Sequence, residues 1–197
     1  MTGVATGMTL LHRDGQRFRF DAGALCLELL LTGGPGPVAS RYEVLDRVDG
    51  LLGWVKDCRL PAGLAPAVTD AELAAVREVR DALWGLALAQ ARGERLDPGA
   101  LAVLNAAAAE PPLAALVQED GTRAWAPGAT GTGLLATLAR DAVELLTGPY
   151  ADRIRECGAD DCALLFADTS RPGRRRWCSM DRCGNRSKVR EHRARTS

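Results

Sequence analysis

The sequence predicts an α+β protein, with a mainly helical N-terminal region carrying two short β-hairpins, then a small four-cysteine module of a β-hairpin and a C-terminal helix. Three observations lead there. Apolar residues recur at helical spacing through most of the first 149 residues. Asp-Gly pairs at 14–15 and 120–121 sit between short alternating runs, the mark of tight hairpins. Four cysteines then fall as two close pairs, Cys157/Cys162 and Cys178/Cys183, in the last quarter of the chain.

The elements follow in order. In MTLLHRDGQRFRF, Phe18 and Phe20 alternate with Arg17 and Arg19 around the Asp14-Gly15 turn. DAGALCLELLLTGG predicts a short apolar helix stopped by Gly33, Gly34, Pro35 and Pro37. SRYEVLDRVDGLLGWVKDCRL has a helical period, and Gly50 and Gly53 predict a break into two short helices. The strongest helix starts at Thr69, an N-cap with Glu72 three residues on, and ends at Gly93. Leu73, Val76, Arg80, Leu83 and Ala87 line one side of it. Asp97-Pro98 opens the next helix, through an Ala-rich stretch to Pro111-Pro112. LAALVQEDGTRAWAP reads as the second hairpin, and residues 131–146 as a long helix closed by Gly148-Pro149. Composition shifts just beyond from Ala/Leu-rich to Arg/Cys/Asp-rich, which divides the chain into 1–149 and 150–197.

At 197 residues with 47% hydrophobic content, the chain can build a core without covalent staples. The start, MTGVATGMTLLHRDG, lacks a basic segment followed by an apolar one, and no apolar run approaches the roughly 18 residues of a membrane span. A cytoplasmic protein with reduced thiols is expected. Charge is unevenly spread. Residues 171–197 hold ten basic and two acidic side chains, or +8, so residues 1–170 hold −8 in a chain of zero net charge. Such a tail suits a polyanion, a solvated terminus or the acidic body of the same chain.

The cysteine pairs are both C-x4-C, separated by fifteen residues, the layout of a structural zinc site. Each pair bends a loop so that two thiolates face one point, and four thiolates close the coordination shell. Between the pairs, ALLFADTSRPGRRRW predicts an apolar strand, a Pro172-Gly173 turn and a return strand ending at Trp177. Two disulfides would suit the same spacing in an exported protein, and an iron–sulfur cluster also accepts four cysteines. Cys26 and Cys58 read as small core residues, and His12 as structural. Beyond Cys183, the sequence GNRSKVREHRAR suits a polar helix with Arg186, Arg190 and Arg193 along one stripe and Val189 its main apolar anchor. His192 falls on the Val189 side.

The run Cys183-Gly184-Asn185-Arg186, with RRRWCSMDR before it, SKVREHRAR after it and RECGADDCALLFADTSRPG upstream, resembles the CGNR zinc-finger family. The resemblance implies one structural Zn2+ on Cys157, Cys162, Cys178 and Cys183. The N-terminal hairpin, ALCLELLLT, TDAELAAVREVRDAL and LARDAVELLTG are similar to the ABATE domain that commonly precedes this finger. Where members usually end the first helix in an Asp-Phe-x-Asn-Thr pattern, this chain has Glu28-Leu29-Leu30-Leu31-Thr32. Members are regarded as stress-responsive bacterial transcription regulators, so the resemblance implies DNA as a partner.

On that reading Arg171, Arg174, Arg175, Arg176, Lys188, Arg190, Arg193 and Arg195 are expected to contact phosphates. Asn185 and Arg186 are residue types that read adenine and guanine edges. The N-terminal region is expected to sense a small-molecule effector or to form a homodimer, and the Gly33–Pro37 loop with its apolar helices to border a pocket. A structural or protein-interaction zinc module is the alternative. No H-E-x-x-H, G-x-S-x-G or phosphate loop occurs, and GATGTG at 128–133 lacks the lysine of a phosphate loop, so no catalysis is expected.

Overall fold

The computed structural model describes residues 7–12 and 14–196, with side chains at 191, 192 and 194–196 left aside. Strands β1 (Met8–Leu11) and β2 (Arg17–Phe20) pair antiparallel, Met8 opposite Phe20. The alternation buries Phe18 and Phe20 and leaves Arg17 and Arg19 outside. Helix α1 (Leu25–Leu29) is wholly buried and tightens into a 3₁₀ turn over Leu30–Thr32. Its first turn has no cap of its own, and Asp141 accepts the Cys26 N–H at 2.8 Å instead.

Helix α2 (Val48–Asp57) runs unbroken through Gly50 and Gly53, with a separate 3₁₀ turn at Ala39–Tyr42. This corrects the expectation of a glycine break. A Cβ at Gly50 would lie 1.7 Å from the Val44 carbonyl oxygen, so glycine serves a close approach there, and burial of Leu51, Trp54 and Val55 holds the helix.

Helix α3 (Asp70–Arg92) starts at Thr69 with both halves of the capping box formed and ends at Gly93 in the left-handed region, φ 68°. Helix α4 (Pro98–Ala109) is capped by Asp97 on the Ala100 N–H. A hairpin of β3 (Ala115–Val117) and β4 (Arg123–Trp125) leads into α5 (Gly131–Thr147). Helices α3, α4 and α5 pack on one another, and α1 lies on α5. Among the described residues no helix is long and apolar enough to cross a membrane.

The cysteine-rich segment is built on a third hairpin, β5 (Ile154–Glu156) with β6 (Leu165–Ala167). The apolar strand therefore pairs with residues upstream of Cys157. The expected partner, 174–177, is irregular chain. Core packing decides this register, because Ile154, Leu165, Phe166 and Ala167 are all buried in the same cluster as Phe20, Leu27 and Val79. The Ala167 N–H donates to the Ala22 carbonyl at 2.9 Å, and a Cβ at Gly23 would sit 2.4 Å from the Ala167 oxygen. One continuous apolar core thus runs from the N-terminal helices into the cysteine module. A wide helical turn, Met180–Gly184, opens the last helix, α6 (Asn185–Thr196).

Candidate metal centre and basic surface

Strand β5 delivers Cys157, whose N–H donates to Leu164 at 2.9 Å as the hairpin closes. The next loop turns sharply, the Cys162 N–H reaching the Ala159 carbonyl at 3.0 Å, so the first pair folds onto one point. The second pair is brought in by Asp168, which is fully buried. One of its oxygens accepts the Ser170 N–H and hydroxyl, at 3.0 and 2.6 Å, and the other accepts the Arg175 N–H at 2.7 Å. The chain thereby reverses over Pro172-Gly173, and the Gly158 N–H bonds the Arg176 carbonyl at 3.0 Å. Trp177 closes over the site: a Cβ at Gly158 would lie 3.1 Å from its ring, and one at Gly184 3.3 Å from it and 2.6 Å from the Met180 sulfur. The glycine of the CGNR run leaves room for the Trp177 ring and the Met180 side chain.

The sulfurs of Cys157, Cys162, Cys178 and Cys183 all lie within 4.8 Å of one another, and Cys162 and Cys178 are 3.9 Å apart. A tetrahedron with Zn–S bonds of about 2.3 Å has edges of about 3.8 Å. All six cysteines are free, and four of them converge on one point rather than pairing off. Hydrogen bonds from Cys162 and Cys178 hold the Cys157 thiol far below its ordinary range, while sharing with Cys157 pushes Cys162 up to about 12 and Cys178 up as well. Proton sharing of this kind is what clustered sulfurs do without a cation, and a divalent ion takes the protons' place. The Cys178 N–H, 3.3 Å from the Cys157 sulfur, supports the charge of that ligand. The four cysteines form one structural zinc site.

Around this centre the arginines divide. Arg171, Arg174 and Arg176 are exposed on the loop between Asp168 and Cys178, Arg176 lying 5.1 Å over the Trp177 ring. Arg175 turns inward, which corrects its expected role as a phosphate contact. Its Nη1 donates to the Asp21 carbonyl at 2.8 Å, its Nε to Trp177 at 3.0 Å and its Nη2 to the Cys178 carbonyl. The guanidinium lies 4.0 Å over Phe166 of the finger and 5.5 Å over Phe20, and with the Asp21 bond it joins the finger to the N-terminal region. On α6, Arg186 donates to Asp161 and stands 3.8 Å from the Cys183 sulfur, and Arg190 pairs with Asp160 at 2.8 Å. Asn185, Lys188 and Arg193 are exposed. The side chain of Arg195, like that of His192, lies outside the described residues.

Residues that sequence reasoning passed over hold this arrangement together. Arg182 is buried, lies 5.3 Å over Phe18 and donates to Asp14 and Gln16 of the first hairpin. Asp160 and Asp161 answer the helical arginines from inside the first cysteine loop, and only their alternation with Arg186 and Arg190 in charge could have suggested it. In the N-terminal region, Glu28 is buried against Arg59, accepting its N–H and Nε at 2.8 Å each, and Arg59 also holds Asp21 at 2.9 Å. Burial pushes the Glu28 carboxyl up, while Arg59 pulls it the other way. Arg80 is buried and donates to Glu43 at 2.8 Å and Asp81 at 3.0 Å. Thr32 donates its hydroxyl to the Leu29 carbonyl at 2.6 Å. The polar ends of the Glu28–Thr32 stretch are thus tied into the fold.

A helical region whose core extends into a small four-cysteine zinc module defines the class of protein. Family models divide it the same way. The model described as "Putative stress-induced transcription regulator", ABATE, matches residues 23–149, and the CGNR zinc finger matches residues 153–196. The chain belongs to the ABATE family, with a C-terminal CGNR zinc finger. No curated protein gives a significant match to it.

Proposed function

We propose that this protein is a zinc-dependent DNA-binding transcription regulator of the cytoplasm, with the finger as its DNA contact and the N-terminal region as its sensing or dimerising part. One observation carries the reading. Arg171, Arg174 and Arg176 project from a loop clamped between the buried Asp168 and the zinc ligand Cys178. A metal-braced loop presents cations at fixed spacing, with little ordering entropy left to lose on meeting phosphates. Lys188 and Arg193 on α6 add to the positive surface, and Asn185 at the helix start is exposed where a base edge could be met. A single small finger gives modest specificity, so a homodimer reading two half-sites fits the proposal.

The alternative, a structural or protein-interaction zinc module, draws on the inward commitment of Arg175 and the Arg186–Asp161 and Arg190–Asp160 pairs, which answer part of the basic charge within the chain. Fluorescence anisotropy of labelled DNA from upstream of the protein's own gene separates the two. The regulator binds with an affinity falling steeply with salt, and the Arg171/Arg174/Arg176 triple alanine variant lowers the log–log salt slope by about 3. Equal binding by wild type and triple variant sinks the proposal.

A further inference from the structure

A cavity of about 240 Å³ lies where the first hairpin, the turn after α1 and the first cysteine loop meet. Phe18, Leu30, Leu31 and Trp84 line it from the N-terminal region, and Asp161–Leu164 from the zinc module, so the metal ligand Cys162 belongs to its wall. Leu11 and Val44, two large apolar side chains left 59% and 42% exposed, stand at the same cavity. Arg182 also faces it. Among the described residues its guanidinium bonds run from Nη1, to Asp14 and Gln16.

We propose that this cavity binds an uncharged, largely apolar small molecule carrying a hydrogen-bonding oxygen, with Arg182 as the donor to that oxygen. A concave volume of about 240 Å³ walled by apolar side chains with few polar groups fits a small molecule. The charges at hand decide the class. Arg182 is paired with Asp14, which also meets His12 of the wall at 3.0 Å, and Asp161 on the wall is paired with Arg186, so each of these described groups already has a partner of its own. An anion would meet the Asp161 carboxylate on the wall, and a cation would meet the Arg182 guanidinium. A neutral ligand meets neither repulsion and covers the apolar surface of Leu11 and Val44. Because the wall includes Asp161 and Cys162, an occupied cavity braces the finger. The role of that molecule as an effector rests on the regulator reading above; the site itself does not.

The test uses the full-length zinc-loaded protein and N-phenyl-1-naphthylamine, an uncharged dye that brightens in apolar surroundings. Emission rises saturably to one dye per chain, 1-naphthol displaces it at least about tenfold better than 1-naphthoate, and bound 1-naphthol slows zinc transfer to a chelator. Val38→Trp fills the cavity from the N-terminal region and Ala163→Trp from the zinc module, and either one, with zinc content and helicity intact, abolishes the rise. No saturable rise, a rise untouched by both substitutions, or naphthoate competing as well as naphthol overturns the proposal. Anisotropy on labelled DNA is read in the same samples. Dye binding without DNA binding keeps the cavity and removes the regulator reading, whereas DNA binding without dye binding removes the cavity alone.

Discussion

Arg186 grips both oxygens of Asp161, at 2.9 and 2.5 Å, fastening the first turn of α6 to the loop between Cys157 and Cys162. One turn further on, Arg190 holds the neighbouring Asp160. The arginine stripe of this helix is therefore partly answered inside the finger, and the pairing with Arg186 holds the Asp161 carboxyl below its usual range. These pairs are at least partly solvent-exposed, so together they contribute about 1 kcal/mol or less to stability. Asp160→Asn with Asp161→Asn should leave zinc content and melting temperature almost unchanged. Under the regulator reading it frees two cations, tightens DNA binding and steepens the log–log salt slope by about 0.9 for each. A salt titration of the double variant checks this.

Zinc removal should act unevenly. In isolated finger peptides the metal contributes about 10–16 kcal/mol of folding energy. Here β5 and β6 are also held by the shared core, through Ile154, Leu165 and Phe166. Chelation, or Cys183→Ser, should therefore melt the cysteine loops and α6 while α3, α4 and α5 persist, leaving most of the far-UV helical signal in place. Zinc affinity should fall as pH falls, because protons compete for the four sulfurs. Circular dichroism alongside a zinc-release assay reads both effects, and a single cooperative loss of all helices on chelation would contradict them.

Local signals carried much of this fold, and the misses share one cause. Thr69 with Glu72, Asp97 with Pro98 and the two Asp-Gly turns are chemistry among near neighbours, readable wherever they occur. The cysteine spacing is readable because few arrangements other than a metal site bring such pairs to one point. Gly50 misled because its purpose is the approach of the Val44 carbonyl, a tertiary fact. By local pattern the strand before Pro172 pairs with the return strand ending at Trp177, and burial of Ile154 in a core assembled from distant residues selected the upstream partner instead. Arg175 sits in a run of three identical residues, and its partner Asp21 is 154 positions away. Periodicity holds no information about such a contact.

Glu72 ties two helices together. One oxygen accepts the Thr69 N–H at 2.8 Å at the start of α3, and the other accepts the Thr132 N–H at 2.8 Å in the first turn of α5. Gly131 lets the helices meet there, since a Cβ on it would lie 2.8 Å from the Glu72 Cβ. These backbone donors lower the carboxyl to about 2, from 4.5 in a free glutamate. A depressed folded-state value means the stabilisation is complete above pH 4.5 and is lost as pH falls from there towards 2. Glu72→Ala should cost about 1–2 kcal/mol at neutral pH, the range of a lost cap, and flatten the stability profile between pH 4.5 and 2. Urea unfolding across that window measures it.

Adjacent arginines separate architecture from recognition. Arg175 donates to three carbonyls and lies over Phe166, and burial drags its guanidinium below the ordinary arginine range. Arg175→Ala leaves those carbonyls without a charged donor in a water-poor seam, a loss of about 3 kcal/mol. At about 2–4 °C per kcal/mol for a chain of this size, the melting temperature should drop by about 6–12 °C. Arg174, one residue earlier, is exposed. Arg174→Ala should change stability by less than about 0.5 kcal/mol and reduce the salt slope of DNA binding by about 1. The two effects are independent, so the pair of variants is decisive in either direction. Were Arg174→Ala to leave the slope alone while Arg175→Ala still lowered the melting temperature, the loop would serve the junction between finger and helices, and the DNA contact would have to lie elsewhere.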